Sequence, residues 1–266
     1  MKTWMRGRLA ERAVSGRDLD DPDTTLHHAD LIRSKPILRD FYEGVYGFFA
    51  EEARGLPPGR QIELGSGGGF LKDRLAQVET SDVMPLPGLD LCFSALDMPF
   101  EEGSVASIYM LDVLHHLPDA GRFFDEALRC LAPGGKLVMV EPANTTFGRF
   151  IYRNFHHEPF EPDAPEWRLP EGGPMSMANG ALPWIVFVRD RARFDQGWPG
   201  LQVTRLDHWA PFRYLASGGV SMRQIVPTPL YPVVKAVEAV TAPLHGHLGM
   251  FMRVVVQRSA TGDGYS

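Results

Sequence analysis

A glycine-rich turn follows the first predicted strand, in the run Glu63-Leu-Gly-Ser-Gly-Gly-Gly69. Glycines in such a turn let the main chain come close to a ligand and direct the next helix toward it. The run departs from the dinucleotide fingerprint G-x-G-x-x-G, because Phe70 stands where the third glycine is required. Glu63 would repel a pyrophosphate and suits a ligand that carries an ammonium group. The turn therefore indicates a small-molecule site, although any tight strand-to-helix turn can use these glycines.

Two acidic residues end the next two predicted strands. Asp82 stands close to where an acid after the second strand meets the hydroxyls of a ribose, and Glu79 is a nearby competitor. Asp97 could accept a hydrogen bond from an adenine amino group, while Met98 packs on the ring. Each acid has a plainer alternative as a turn or cap residue.

The candidates for proton transfer are four histidines and one glutamate. His115 and His116 follow the fourth predicted strand, His156 and His157 lie in a long loop, and Glu141 ends the fifth strand. Histidine is the usual base near neutral pH. The alternatives are that the first pair caps a turn and that Glu141 pairs with an arginine. No metal-ligand spacing stands out, so the sequence predicts no metal site.

The elements that must position these residues alternate between strands and helices. Such alternation predicts βαβ units and a parallel sheet. The expected strands are 61–64, 78–83, 89–95, 106–111, 136–140, 201–206 and 251–257, and the expected helices are 31–53, 70–77, 118–131 and 230–240.

The segment from 142 to 183 is rich in proline, glycine and aromatic residues, and 184–194 could be extended or helical. A loop of this length inside a compact domain is usually functional, often as a lid. The sequence predicts a mobile arm over 1–30, one domain over 31–258 with a substrate-cap insertion over 142–200, and a disordered tail over 259–266.

Residues 61–141 resemble the core of class I S-adenosylmethionine (SAM)-dependent methyltransferases, and more narrowly the methyltransferase type 11 group. The matching runs are ELGSGGGFL, SDV, ALDMPFEEGSVASIYMLDVLHHLPD and LRCLAPGGKLVMVEP. The resemblance implies an α/β fold with a doubly wound, mostly parallel seven-stranded sheet, Rossmann-like, with helices on both faces. It also implies that the last strand runs antiparallel between its neighbours.

The resemblance also implies roles for individual residues. Asp82 would bind the ribose of SAM, Asp97 and Met98 its adenine, and Leu111 would contact SAM through its main chain, with His116 close by. The methionine part would be held by Glu63, Gly65, Ser66, Gly67 and Gly69. One departure from the family pattern is the segment 84–89, which is too short and too proline-rich for the usual helix. The cleft is therefore either more open there or covered by another segment.

Composition excludes several classes of protein. The net charge is −6 and the isoelectric point about 5.8, which argues against a nucleic-acid partner. The start of the chain has no apolar stretch typical of a signal peptide, and no run is long enough to span a membrane, so a cytoplasmic location is expected. The fairly apolar stretch 227–252 is interpreted as a core helix, with peripheral membrane contact as the alternative.

The predicted function is transfer of a methyl group from SAM to a small-molecule acceptor. The accepting atom could be oxygen, nitrogen or carbon, and the acceptor could be linked to a lipid or a saccharide. Two alternatives are a nicotinamide-dependent oxidoreductase and a SAM-binding module without turnover.

Overall fold

The computed structural model describes residue 11, residues 16–170 and residues 172–260. Seven strands form one sheet: β1 Arg60–Leu64, β2 Val78–Asp82, β3 Leu91–Cys92, β4 Val105–Leu111, β5 Leu131–Pro142, β6 Leu201–Trp209 and β7 Phe251–Arg258. The helices are α1 Pro22–Ser34, α2 Pro36–Glu52, α3 Ala120–Cys130, α4 Thr146–Phe155, α5 Leu182–Trp184, α6 Arg191–Gly197, α7 Arg213–Ser217, α8 Tyr231–Val240 and α9 His245–Leu248. A π-helical turn, Ile185–Arg189, joins α5 to α6.

The strand order is β3-β2-β1-β4-β5-β7-β6. All neighbouring strands are parallel except at β7, which is antiparallel to both β5 and β6. The expected doubly wound, mostly parallel seven-stranded sheet is therefore confirmed. The order reverses between β1 and β4, and ligands of such sheets bind beyond the carboxyl ends of the strands at this point.

The core lies between the sheet and the helices that cover it. Helix α2 buries Phe41, Val45 and Phe49 completely, and the Phe49 ring lies 5.3 Å from that of Tyr109 in β4. Each such side chain contributes about 1.5–3 kcal/mol when it leaves water. The helical spacing of these residues in the sequence is thus explained by packing of α2 on the sheet.

The helix expected over 31–53 is divided in two. Pro36 has no N–H and forces the preceding residue out of the helical region, and Lys35 is accordingly extended. Helix α1 begins at Pro22, capped by the side chain of Asp21, inside the segment assigned to a mobile arm. Most of helix α1 thus lies within the predicted arm, while residues 1–10 and 12–15 lie outside the described chain.

The region between β1 and β4 contains less regular structure than expected. The helix predicted over 70–77 is a single 3₁₀ turn, Leu71–Asp73, because the chain must turn back at once to enter β2 at Val78. The strand predicted over 89–95 shortens to β3, which pairs only with Ser81 and Asp82. No helix lies between β2 and β3, as the sequence indicated, and helix α1 covers the exposed end of the glycine turn instead. An added Cβ at Gly68 would lie 2.6 Å from the main-chain nitrogen of Ala29 in α1.

The C-terminal apolar stretch is not a core helix. Helix α8 and its flanks leave five large apolar side chains exposed: Leu230, Val233, Val237, Val240 and Leu244. Across the described residues, every helix is too short or too polar to cross a membrane. The ambiguous segment 184–194 is helical, and residues 261–266 of the predicted tail lie outside the described chain.

Candidate functional site

A cavity of about 440 Å³ opens at the carboxyl ends of β1, β2 and β4. Two walls carry most of its carboxyl and imidazole groups. We call one the glycine wall, which consists of Glu63, residues 65–69 and Asp82. We call the other the histidine wall, which consists of His115, His116, His156, His157 and Glu158. Both walls contribute residues to the lining, and Leu111 lies in it as well.

The glycine turn needs its glycines for two separate reasons. Gly65 and Gly67 have φ angles of +62° and +47°, which side chains rarely adopt. At Gly69 the reason is steric, because an added Cβ would lie 2.6 Å from the hydroxyl of Tyr46. Ser66 fixes the turn to β2, because its hydroxyl accepts a hydrogen bond from the Ser81 N–H.

Glu63 ends up buried under this turn, at 3% exposure. No described residue forms a hydrogen bond with its Oε2 atom. Burial raises the pKa of Glu63 to about 8; a hydrogen bond with Ser66 opposes the shift and the charge of Asp82 adds to it. A buried carboxyl group with an unpartnered oxygen fits a cationic ligand group, which would stabilise the ionised form.

Asp82 occupies the adjacent position at the end of β2. Its two oxygens accept hydrogen bonds from the N–H groups of Gly67, at 3.1 Å, and Met84, at 3.0 Å. Burial raises the pKa of Asp82, and these main-chain bonds oppose the shift. The competitor Glu79 instead pairs with Arg60 at 2.8 Å, outside the cavity lining. The structure therefore favours Asp82 over Glu79 as the acid of this wall.

Asp97 and Met98 are not among the described residues that line the cavity. Asp97 is exposed, and Met98 packs in the core while its N–H donates to Glu126. The strand β3 is short, and the chain turns at Ser94, before Asp97. Residues 93–96 line the cavity, and the binding of adenine by Asp97 and Met98 stays a prediction.

His115 is the most enclosed group of the histidine wall, at 2% exposure. Its Nδ1 lies 2.7 Å from Glu141, and its Nε2 faces the Glu158 carboxylate at 3.5 Å. Burial alone would lower the pKa of His115, but the hydrogen bond with Glu141 and the charges of both carboxylates raise it well above its usual value. A histidine that stays protonated at neutral pH is not available as a base.

Glu141 is fully buried behind His115 and does not reach the lining of the cavity. Its Oε1 accepts hydrogen bonds from the N–H groups of Val113, at 2.9 Å, and Leu114, at 2.7 Å. With all its oxygens engaged, Glu141 is a positioning residue for the segment after β4. The hypothesis that it acts in catalysis is not supported by this placement.

The other histidines surround Glu158. Nε2 of His116 lies 3.6 Å from this carboxylate, and Nδ1 of His156 and Nε2 of His157 each lie 3.5 Å from it. Burial and the neighbouring His115 lower the pKa of His116 to about 4, and burial lowers that of His156 to about 4. Both are therefore neutral at pH 7, while the histidines hold the pKa of Glu158 well below its usual range against the effect of burial.

Sequence reasoning missed several residues of the cavity. Asp112 has a φ of +56°, which is strained for a side chain of this kind, and its Oδ1 has no described partner. Burial raises the pKa of Asp112 to about 8; the charge of His115 opposes the shift. Four tyrosines also line the cavity: Tyr42, Tyr46, Tyr152 and Tyr214. In the sequence, the spacing of these tyrosines resembles that of core residues. The only sequence signal for Glu158 is its position beside a histidine pair.

Residues 62–139 match the family described as Methyltransferase domain. This segment is a methyltransferase domain. It contains most of β1, all of β2 to β4, most of β5 and the whole glycine wall. The methyltransferase domain uses SAM as its cofactor, and the unpartnered Glu63 oxygen beside the glycine turn fits the ammonium of SAM.

Comparison with curated proteins gives a short match. The chain is 39% identical over 46 residues to the chloroplastic tocopherol O-methyltransferase of Arabidopsis thaliana. The alignment spans 17% of this chain and only 13% of that protein. The likeness is thus confined to a short part of both chains.

One of the solved structures that resemble this chain shares its fold over most of the length. A Haloferax volcanii chain, from a complex of the Trm112 methyltransferase activator with a provisionally assigned methyltransferase, is 14% identical with a TM-score of 0.53. The match covers 93% of this chain and 99% of that one. The geranyl diphosphate C-methyltransferase of Streptomyces coelicolor is 12% identical with a TM-score of 0.49, over 94% of this chain and 87% of that one.

Proposed function

We propose that this protein transfers the methyl group of SAM to a small-molecule acceptor. The observation that carries the proposal is the buried, unpartnered Oε2 of Glu63 beside the glycine turn. A buried polar oxygen without a partner is costly, and the ammonium of the methionine part of SAM would remove that cost. Asp82, on the adjacent strand, would bind the ribose hydroxyls.

The histidine wall would receive the acceptor. Methyl transfer is an in-line displacement, so the main task of the protein is to hold the accepting atom against the methyl group. The two walls face one cavity, which lets one side bind SAM and the other orient the acceptor. Of the two adjacent histidines after β4, His116 is the one that is neutral at pH 7, and it lines the cavity.

The acceptor would carry an apolar part. A second cavity of about 170 Å³ adjoins the first and shares Tyr152, His156 and Tyr214 with it. The rest of its lining is mainly apolar and includes Ile151, Phe155, Leu215, Met222 and Met250. We infer a molecule whose reacting polar atom lies at the histidine wall while its apolar part occupies the second cavity. The enclosed space and the net charge of −6 favour such a molecule over a nucleic acid.

Calorimetric titration of the full chain with SAM, S-adenosylhomocysteine and NAD tests the cofactor. We expect the first two to bind and NAD not to bind, whereas a preference for NAD would overturn the proposal in favour of an oxidoreductase. Turnover is then followed as S-adenosylhomocysteine formed with a panel of apolar and polar acceptors. SAM binding without turnover on any of them would contradict the enzymatic role and indicate a binding module.

The place of the acceptor is tested by filling the second cavity with Met222→Trp. We expect a higher KM for the acceptor found in the panel and an unchanged affinity for SAM, because the glycine wall is untouched. Val240→Trp, on the exposed face of α8, serves as the control. Equal KM values for the two variants would show that the acceptor lies elsewhere.

A further inference from the structure

We propose that His115, His116 and Glu158 bind a divalent transition-metal ion, with His156 and His157 as neighbouring donors. The ligand atoms of the first three residues lie within 4.8 Å of one another, and His156, His157 and Glu158 form a second group of the same kind. Both groups use the one carboxylate of Glu158. The cluster therefore offers up to four imidazole nitrogens around a single carboxylate in the same cavity as the glycine wall.

The distances favour shared ligation over hydrogen bonding. The Glu158 carboxylate lies 3.5 Å from Nε2 of His115 and 3.6 Å from Nε2 of His116. These separations exceed the usual length of an N–H···O hydrogen bond, about 2.7–3.2 Å. Two ligands that each lie about 2.0–2.1 Å from one tetrahedral ion are separated by roughly 3.3 Å. The two nitrogen-to-carboxylate separations are close to that value, while the ligand atoms of the whole group lie within 4.8 Å of one another.

The other ring nitrogen of each histidine is already held. Nδ1 of His115 lies 2.7 Å from Glu141, and Nδ1 of His116 lies 2.8 Å from the carbonyl oxygen of Met177. A metal-binding histidine almost always donates its second N–H to a carboxylate or a carbonyl, which fixes the tautomer and the ring orientation. Both histidines have this arrangement and direct Nε2 toward Glu158, and an ion bound there would displace the proton that His115 carries on Nε2 in the metal-free protein.

The donor set selects the class of ion. Imidazole suits Zn²⁺, Fe²⁺, Co²⁺ and Ni²⁺, whereas Mg²⁺ and Ca²⁺ require mostly oxygen ligands. Two histidines and one glutamate also leave a coordination position open, as in catalytic zinc sites. The structure thus points to a transition metal with room for a further ligand from the cavity.

The role of the ion rests on the proposed function. An acceptor hydroxyl that binds at the open position would have a lowered pKa and lose its proton to water. Its oxygen would then form the new bond to the methyl carbon while the carbon–sulfur bond breaks. The electron pair of that bond goes to sulfur, which leaves as neutral S-adenosylhomocysteine.

The test begins with the full chain after dialysis against a chelator, titrated with Zn²⁺ in the absence of SAM. We expect one equivalent to bind, and we expect Co²⁺ to give visible absorption bands that Zn²⁺ displaces. His116→Ala and Glu158→Gln should each weaken Zn²⁺ binding at least tenfold. His247→Ala, an exposed histidine outside the cavity, should leave Zn²⁺ affinity unchanged.

SAM affinity is measured on the same metal-free samples, which separates this proposal from the proposed function. A folded protein that binds SAM but neither Zn²⁺ nor Co²⁺ would overturn the metal site alone. Binding of Mg²⁺ in preference to Zn²⁺, or equal Zn²⁺ affinity in Glu158→Gln and the unchanged chain, would overturn it as well. Thermal unfolding of each variant shows whether a lost response reflects a lost fold.

Discussion

The glycine wall and the histidine wall face one cavity but are constructed in opposite ways. The glycine wall is formed mainly by main-chain atoms, and Glu63, the turn and Asp82 come from 20 consecutive residues. The histidine wall is formed by side chains, and His115 contacts Glu158, which lies 43 positions away in the sequence. The first is a local structure that the chain forms almost by itself, and the second exists only when β4, β5 and the segment after α4 are all in place.

This difference predicts where each wall is vulnerable. A main-chain turn is disrupted by added atoms, because its geometry requires glycine. A cluster of buried charges is disrupted by removed atoms, because each loss leaves a partner without compensation. Substitutions of the two kinds therefore test the comparison directly.

The largest effect is expected from Glu141→Ala, which removes the support of the histidine wall. The change leaves His115 and two main-chain N–H groups without their buried partner. We expect the free energy of unfolding to fall by about 3–5 kcal/mol, measured by denaturant titration. Glu141→Gln should lose less, since an amide oxygen can still accept main-chain bonds. In the surface control Glu102→Ala, the free energy of unfolding should change by less than about 0.5 kcal/mol. A loss below about 1 kcal/mol in Glu141→Ala would contradict the positioning role.

A methyl group added to the glycine wall should have the next largest effect. Gly65→Ala forces a side chain into a left-handed conformation and places its Cβ 2.6 Å from the Val113 side chain. We expect a loss of about 1–3 kcal/mol in unfolding free energy, with weaker SAM binding. Gly47→Ala in α2 is the matched control, because an added Cβ there has no atom within 4 Å. That control should be neutral or stabilising by up to about 1 kcal/mol, and equal losses in both variants would show that the turn has no special requirement.

Asp82→Ala and Asp97→Ala compare the acid inside the cavity with the acid outside it. We expect SAM affinity to fall by about 1–3 kcal/mol for Asp82→Ala, the scale of a lost buried hydrogen bond to a charged group. Asp97→Ala should leave SAM affinity nearly unchanged, because that side chain is exposed. Calorimetry measures the SAM affinity of both variants. A larger loss for Asp97→Ala than for Asp82→Ala would support the binding of adenine by Asp97 that is expected from sequence.

The smallest effect is a proton linkage at Glu63. Its pKa of about 8 in the free protein means that the group is mostly protonated at pH 6–7. An ammonium ligand favours the carboxylate, so SAM binding should release a proton, and SAM affinity should rise by up to about tenfold between pH 6 and pH 7. Calorimetry in buffers of different ionisation enthalpy measures this release. Glu63→Gln should abolish it, and an unchanged release in that variant would assign the proton to another group.

The sequence located features that depend on neighbours in the chain. The glycine turn, Asp82 and the succession of strands were predicted because left-handed turns need glycine and buried strands need continuous apolar runs. At Asp97 the adenine role stays a prediction, because β3 has only two residues and the acid is exposed beyond it. The same reasoning failed over 70–77, where propensity favoured a helix but the return to β2 left space for one turn.

By itself, then, the sequence determined the sheet, the glycine turn and the acid that belongs beside it, since each of these follows from conformational rules within about twenty residues. Only the tertiary structure decided that helix α1 covers the turn, that Glu141 supports His115 from behind, and that four histidines meet at Glu158. Those contacts join segments far apart in the chain, and burial in a shared interior, rather than any spacing, is what holds them together.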